Sequence, residues 1–255
     1  MLFRGPRRQM QDRYLAFLGA TETYGRFVET PFSAQIERRL GVECVNFGAV
    51  NAGLDLYLNE PVILTLAERA SLKVVQVMGA QNMSNRYYAV HPRRNDRFLR
   101  AGERLETLYP EVDFTEFHFN RHLLTHLEEL SPDRFAAIVE ELKYAWVARM
   151  KQMLTQLRGG VVLLWFARDR PPQRSTQMSA ADPLFVDREM IEMLRTRVAH
   201  VVEVIPSEVA RVEGTQGLIF ADHDTCAAHE SLGLRAQSEV AETLAPLLAE
   251  MLVNR

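Results

Sequence analysis

The chain has 255 residues, 47% hydrophobic and 25% charged, with 13 Gly, 11 Pro, 2 Cys and a formal charge of −3. Those proportions exclude a disordered, collagen-like or disulfide-stapled chain, and the near-neutral balance argues against a general nucleic-acid binder. At this length one domain, residues 1–255, buries roughly 70–75% of the surface its unfolded chain exposes, so neither a metal nor a disulfide is needed to hold it.

The first residues, Met1-Leu2-Phe3-Arg4, are followed by more basic residues and lack the apolar stretch of roughly 7–15 residues that marks a signal peptide. The apolar runs, such as 160–167, fall far short of the ~20 residues a membrane span needs. Cys44 sits inside an apolar run and reads as a small core residue, and only Cys226 joins it. These features predict a cytoplasmic protein with no membrane partner.

Along the chain, five short apolar runs, 14–19, 42–48, 73–79, 161–167 and 200–206, alternate with helix-period segments. Near-continuous apolarity predicts strands covered on both faces. A helix is expected from about Pro31, with Phe32, Ile36 and Leu40 on one face. Ser131-Pro132-Asp133 supplies a capping Ser, a Pro at the first helical position and an acid in the first turn. Phe135, Ile138, Leu142, Trp146, Met150 and Leu157 continue that helix to a stop at Gly159-Gly160. Val240, Leu244, Leu248 and Leu252 mark a final helix, in which Pro246 predicts a kink. Five repeats of strand and helix predict a three-layer α/β sandwich around a five-stranded parallel sheet, SGNH-like or flavodoxin-like. In such a sheet ligands bind at the C-terminal ends of the strands.

The chemistry is expected at those ends. The first strand runs into Gly19-Ala20-Thr21-Glu22-Thr23-Tyr24-Gly25, the second into Asn46-Phe47-Gly48 and then Asn51 and Gly53, the third into Gly79-Ala80-Gln81-Asn82. Glu22, a carboxylate in a tight turn, is a candidate base or an exposed turn acid. After the third strand comes a polar segment with Asn85, Arg86, Arg93, Arg94 and Arg97; planar guanidinium groups suit carboxylate, phosphate or sulfate. It reads either as a ligand-binding run or as a solvated face. His118, His122 and His126 recur every four residues, which on a helix places all three on one face. Their apolar neighbours favour ordinary surface histidines, and no metal is assigned. The stretch 168–182, with three Pro, reads as a surface loop or a lid.

The strand-end blocks resemble those of the SGNH (GDSL-type) hydrolases. Gly19, Thr23 and Gly25 match a Gly-Asp-Ser-x-Thr-x-Gly block, with Ala20 in place of its Asp and Thr21 in place of its nucleophilic Ser. His229, ahead of the last helix, stands where the family has its catalytic His, with Asp222 and Asp224 as the acids nearest in sequence. More closely overall, the chain resembles an uncharacterised bacterial family that shares this plan. The resemblance implies an esterase or acyl-transfer enzyme with Thr21 as nucleophile, His229 as base and Asp222 or Asp224 as its orienter. Gly48 or Gly53, with Gln81 or Asn82, would then form the oxyanion hole. Its substrate is expected to be a small polar or anionic molecule, or a glycan, read by Asn51, Asn85, Arg86, Arg93, Arg94 and Arg97.

The alternative is an inactive relative that binds a carbohydrate or a phosphate- or sulfate-bearing ligand, with Thr21 and Thr23 satisfying turn backbone. A transferase of an anionic group is a third class, without a nucleotide motif behind it. No phosphate-cradling glycine motif occurs, so no cofactor is implied; a homo-oligomer is compatible with the composition.

Overall fold

Each of the five apolar runs becomes a strand. The computed structural model describes residues 3–11, 13–179 and 182–254, and among them lie seven strands. These are β1 (Tyr14–Leu18), β2 (Glu43–Asn46), β3 (Leu72–Gln76), β4 (Tyr88–Val90), β5 (Phe98–Ala101), β6 (Val161–Phe166) and β7 (His200–Val204). The main sheet is wholly parallel in the order β2-β1-β3-β6-β7. Leu15 lies between Cys44 and Leu72 in register, and Val162 between Val74 and His200. The main strands β1, β2, β3, β6 and β7 end one to three residues before the ends of their apolar runs, because the last residues already turn into strand-end loops.

The helices are α1 (Thr21–Tyr24), α2 (Phe32–Leu40), α3 (Leu54–Leu58), α4 (Pro61–Arg69), α5 (Glu103–Leu108), α6 (Asn120–Leu130), α7 (Pro132–Leu157), α8 (Arg188–Glu192), α9 (Glu208–Glu213), α10 (Thr225–Glu230) and α11 (Leu234–Val253). Alternation along the strands divides the core in two. Ala16, Leu18, Val75, Leu163 and Trp165 face α3, α4 and α7. Leu15, Phe17, Val74, Leu164 and Phe166 face α2 and α11. The result is the expected α/β sandwich of three layers. Ser131 caps α7 by accepting the Arg134 N–H (3.4 Å), and α11 carries Pro246 in its interior. No helix among the described residues is long and apolar enough to cross a membrane.

Two expectations change. The polar segment after β3, read as a ligand-binding run or a solvated face with no strand in it, holds two: β4 and β5 pair as an antiparallel hairpin, with a register shift at Ala89/Val90. His118 lies ahead of α6, so the three histidines share no helix face; His122 and His126 pack on the Phe117 ring at 4.9 and 5.3 Å instead. Within the stretch 168–182, residues 180 and 181 lie outside the described residues. Ser175 and Met178 are buried, and Glu128 accepts the Met178 N–H (3.1 and 3.2 Å), which ties part of this loop to α6.

Trp146 of α7 does more than fill space. Its fully buried indole N–H donates to the Met78 carbonyl (2.8 Å), joining α7 to the turn after β3. Trp146→Phe keeps an aromatic ring there but leaves a buried carbonyl unpaired. A loss of about 1–3 kcal/mol in urea-induced unfolding is expected, and a change under ~0.3 kcal/mol would show that this carbonyl finds another donor.

Candidate functional site

The C-terminal ends of β1, β3 and β6 open into one cleft of about 360 Å³, lined by residues from six segments. Thr21 and Glu22 come from α1, Asn51 from the loop after β2, and Gln76, Gly79, Gln81 and Asn82 from the end of β3 onward. Arg121 of α6, Arg168 and Asp182 beyond β6, and His229 and Glu230 of α10 complete the walls.

The turn after β1 requires its glycine. A Cβ on Gly19 would stand 2.2 Å from Thr23 Oγ1 and 2.5 Å from Gln76 Oε1. Without it, the buried Gln76 side chain fits under α1. Its Oε1 accepts the N–H groups of Ala20 (3.1 Å) and Thr23 (3.2 Å) and the Thr23 hydroxyl (2.6 Å), and its Nε2 donates to Glu22 Oε2 (2.7 Å). Tyr57, buried beneath the same turn, accepts the Gly19 N–H (2.9 Å) and donates to Gly19 O (2.6 Å). Glu22 is the electrostatically perturbed group of the cleft. Burial raises its pKa above the ordinary 4.5 and the Asp182 carboxylate adds to this, while the bond from Gln76 opposes it.

Thr21 engages Asn51 on both sides: its hydroxyl accepts the Asn51 N–H (3.0 Å) and donates to Asn51 Oδ1 (3.2 Å). Asn51, with φ of 55°, also donates from Nδ2 to Asp96 (3.2 Å). His229 shares the cleft, and its carbonyl accepts from Arg168 (2.6 Å), but the Thr21 hydroxyl is directed at Asn51 instead of at His229. Neither acid expected to orient that imidazole does so. Asp224 pairs with Arg26 (2.7 Å), and Asp222 starts a short 3-10 turn outside the cleft lining.

The two glycine amides expected in an oxyanion hole are already committed. The Gly48 N–H donates to Asn46 Oδ1 (2.8 Å) and the Gly53 N–H to Asn95 Oδ1 (2.9 Å). Gly53 serves close packing: a Cβ there would stand 1.7 Å from the Asn82 carbonyl oxygen. Gln81 and Asn82 do line the cleft. Gln81 Nε2 lies 3.4 Å from Asp182 Oδ1, and Asn82 Nδ2 donates to the Asn51 carbonyl (3.1 Å).

The arginine run lies elsewhere. Arg86 pairs with Glu141 and stacks near Tyr144, Arg93 pairs with Glu60, Arg97 sits 4.0 Å over the Phe119 ring, and Arg94 is exposed. Asn85 stabilises its own turn by accepting the N–H groups of Tyr87 (2.8 Å) and Tyr88 (3.2 Å). The guanidinium groups at the cleft are Arg121, paired with Asp182 (2.7 Å), and Arg168. Sequence reading passed over these two and Gln76. For Gln76 the available signal was a polar residue closing the strand directly after Val74 and Val75.

The wall bearing His229 belongs to an excursion between α9 and α11 whose ends meet, since a Cβ on Gly233 would stand 2.4 Å from the Gly214 carbonyl oxygen. It is tied down by Arg26–Asp224, by the Ile219 N–H on Phe27 O (2.9 Å), by Phe27 against Phe220 (5.9 Å) and by Arg168 on His229 O.

A family model described as a domain of unknown function (DUF6473) matches residues 1–252. Comparison with curated proteins gave no match. Among solved structures, the crystal structure of the lipase Lip_vut3 from a goat rumen metagenome is 13% identical. The alignment covers 91% of this chain and 96% of that one, with a TM-score of 0.46.

Proposed function

We propose, for this chain, which belongs to the DUF6473 family, that the cleft hydrolyses or transfers an acyl group on a small polar substrate. Glu22 is the group that moves the proton. The carrying observation is its carboxyl, raised by burial and held by Gln76 in the same cleft as Gln81, Asn82 and His229. A carboxyl whose pKa is raised above the ordinary carboxylate value is better suited to take a proton and give it back than an unperturbed one. Glu22 accepts a proton from water as the water oxygen bonds to the acyl carbon. It returns that proton to the leaving alkoxide as the carbon–oxygen bond breaks, and the carboxylate is regenerated. The side-chain N–H groups of Gln81 and Asn82, with Arg168, supply donors for the negative charge that develops on the acyl oxygen. An anionic or glycan substituent on the substrate would meet Arg121 and Arg168.

The route through Thr21 as nucleophile and His229 as base requires the Thr21 proton to leave Asn51 Oδ1 and the imidazole to act without an acid behind it. Those two observations favour a second reading, a binding cleft for a carbohydrate or a phosphate- or sulfate-bearing ligand.

Short acyl esters separate the readings. The proposal expects turnover that survives Thr21→Val within about tenfold, whereas a Thr nucleophile expects that variant to lose activity by several orders of magnitude. Absence of turnover, together with a rise in melting temperature on adding sulfate, phosphate or a sugar acid that Arg168→Ala abolishes, would assign the cleft to binding.

A further inference from the structure

We infer that Gln76 is the positioning residue for Glu22, fixing which carboxyl oxygen accepts a hydrogen bond and which carries the mobile proton. The inference rests on the reading of Glu22 given above and adds the residue that controls it. Gln76 closes β3 and is buried, so its amide cannot turn to solvent. Three donors, the N–H groups of Ala20 and Thr23 and the Thr23 hydroxyl, converge on Oε1. A rotated amide would point its own N–H groups at the Ala20 and Thr23 N–H groups and leave both without an acceptor. The network therefore assigns the orientation and sends Nε2 to Glu22 Oε2 at 2.7 Å.

An oxygen that receives this N–H keeps its lone pair in both ionisation states. Protonation of Glu22 then falls on Oε1. The donors that lock Gln76 belong to the turn that bears Glu22, so one amide both shapes α1 and aims its carboxyl. The room for this comes from Gly19, where any side chain would overlap Gln76 Oε1.

Several charged groups share the surroundings of Glu22. Asp182 lies on the loop beyond β6, Arg168 follows β6, and His229 and Glu230 belong to α10. Arg121 faces the same cleft from α6, and Arg26 lines, together with Glu22, a second, water-sized void. Among these, Asp182 raises the Glu22 pKa. Two groups hydrogen-bond the carboxylate, the Glu22 main-chain N–H and Gln76, and Gln76 is the one side-chain donor among the described residues.

The test is a pH titration by NMR of the full chain, labelled at side-chain amide nitrogens and carboxyl carbons. The Gln76 amide resonance is expected to move with the same midpoint as the Glu22 carboxyl carbon; an amide that stays still through that titration overturns the inference. Gln76→Glu keeps an acceptor for the three donors and replaces the N–H donor with a second carboxyl. It should raise the Glu22 midpoint by on the order of one pH unit through like-charge repulsion. A folded variant with an unmoved midpoint also overturns the inference, and if the variant does not fold, the wild-type titration decides. Neither readout depends on turnover. Joint titration without hydrolysis of any acyl ester would remove the catalytic reading of Glu22 and leave the positioning role standing.

Discussion

Glu22→Gln is expected to lower kcat on an acyl ester by about two to four orders of magnitude, and to stabilise the protein at neutral pH. Both effects have one origin. The Glu22 carboxyl is raised above 4.5 chiefly by burial, so between that value and its native one the folded chain binds more protons than the unfolded chain. Stability then falls as pH rises through this window, and above the native value the penalty is complete. Glutamine does not titrate, and its carbonyl oxygen can accept the Gln76 N–H as the carboxylate does. Melting curves from pH 4 to pH 8 should therefore show the variant near the wild type at the acid end and above it at pH 7. The wild-type rate should rise with pH through the same midpoint. Activity retained in Glu22→Gln would exclude this carboxyl from the chemistry, and an unchanged melting temperature at pH 7 would show that it carries no penalty in the fold.

The second large effect lies behind the cleft. Asp55 of α3 is buried, pairs with Arg149 of α7 (2.7 Å) and accepts the Ser84 N–H (2.7 Å). Arg149 also donates to the Ser84 carbonyl (2.6 Å), so the two side chains clasp the segment that follows Gln81 and Asn82. Asp55→Ala leaves a guanidinium without its carboxylate and a backbone N–H without an acceptor. Losing one partner of a buried pair costs about 3–5 kcal/mol; Arg149 keeps some access to water, which places the expectation at about 3 kcal/mol. For a chain of this size that corresponds to a fall of roughly 5–10 °C in melting temperature. Replacing both residues, Asp55→Ala with Arg149→Met, should recover part of the loss. If the double variant is no more stable than the single one, the cost comes from Ser84 and not from the stranded charge.

The strands were legible because a parallel sheet covered on both faces forces a continuous apolar run, and that pattern is local. The same holds for the Ser131 cap of α7. The cleft was legible only as an edge. Glycine at position 19 marked the turn that carries Thr21 and Glu22, but the side chain that holds the Glu22 carboxylate is Gln76, 54 residues further on. The arginine run misled for the same reason in reverse. Glu60 and Glu141, which neutralise Arg93 and Arg86, are distant in sequence, and nothing local distinguishes a paired guanidinium from a free one. The amides of Gly48 and Gly53 were assigned by analogy of block and spacing. Asn46 and Asn95, whose side-chain oxygens occupy them, became apparent only in three dimensions.

The excursion that carries His229 begins and ends at one point, where Gly214 and Gly233 touch. A segment closed on itself in this way can be shortened, lengthened or exchanged without displacing α9 or α11, because the chain leaves and re-enters the body at the same place. One wall of the cleft is therefore carried by an excursion from the body, whereas Gly19, Glu22 and Gln76 sit on the turn and helix that follow β1 and at the end of β3.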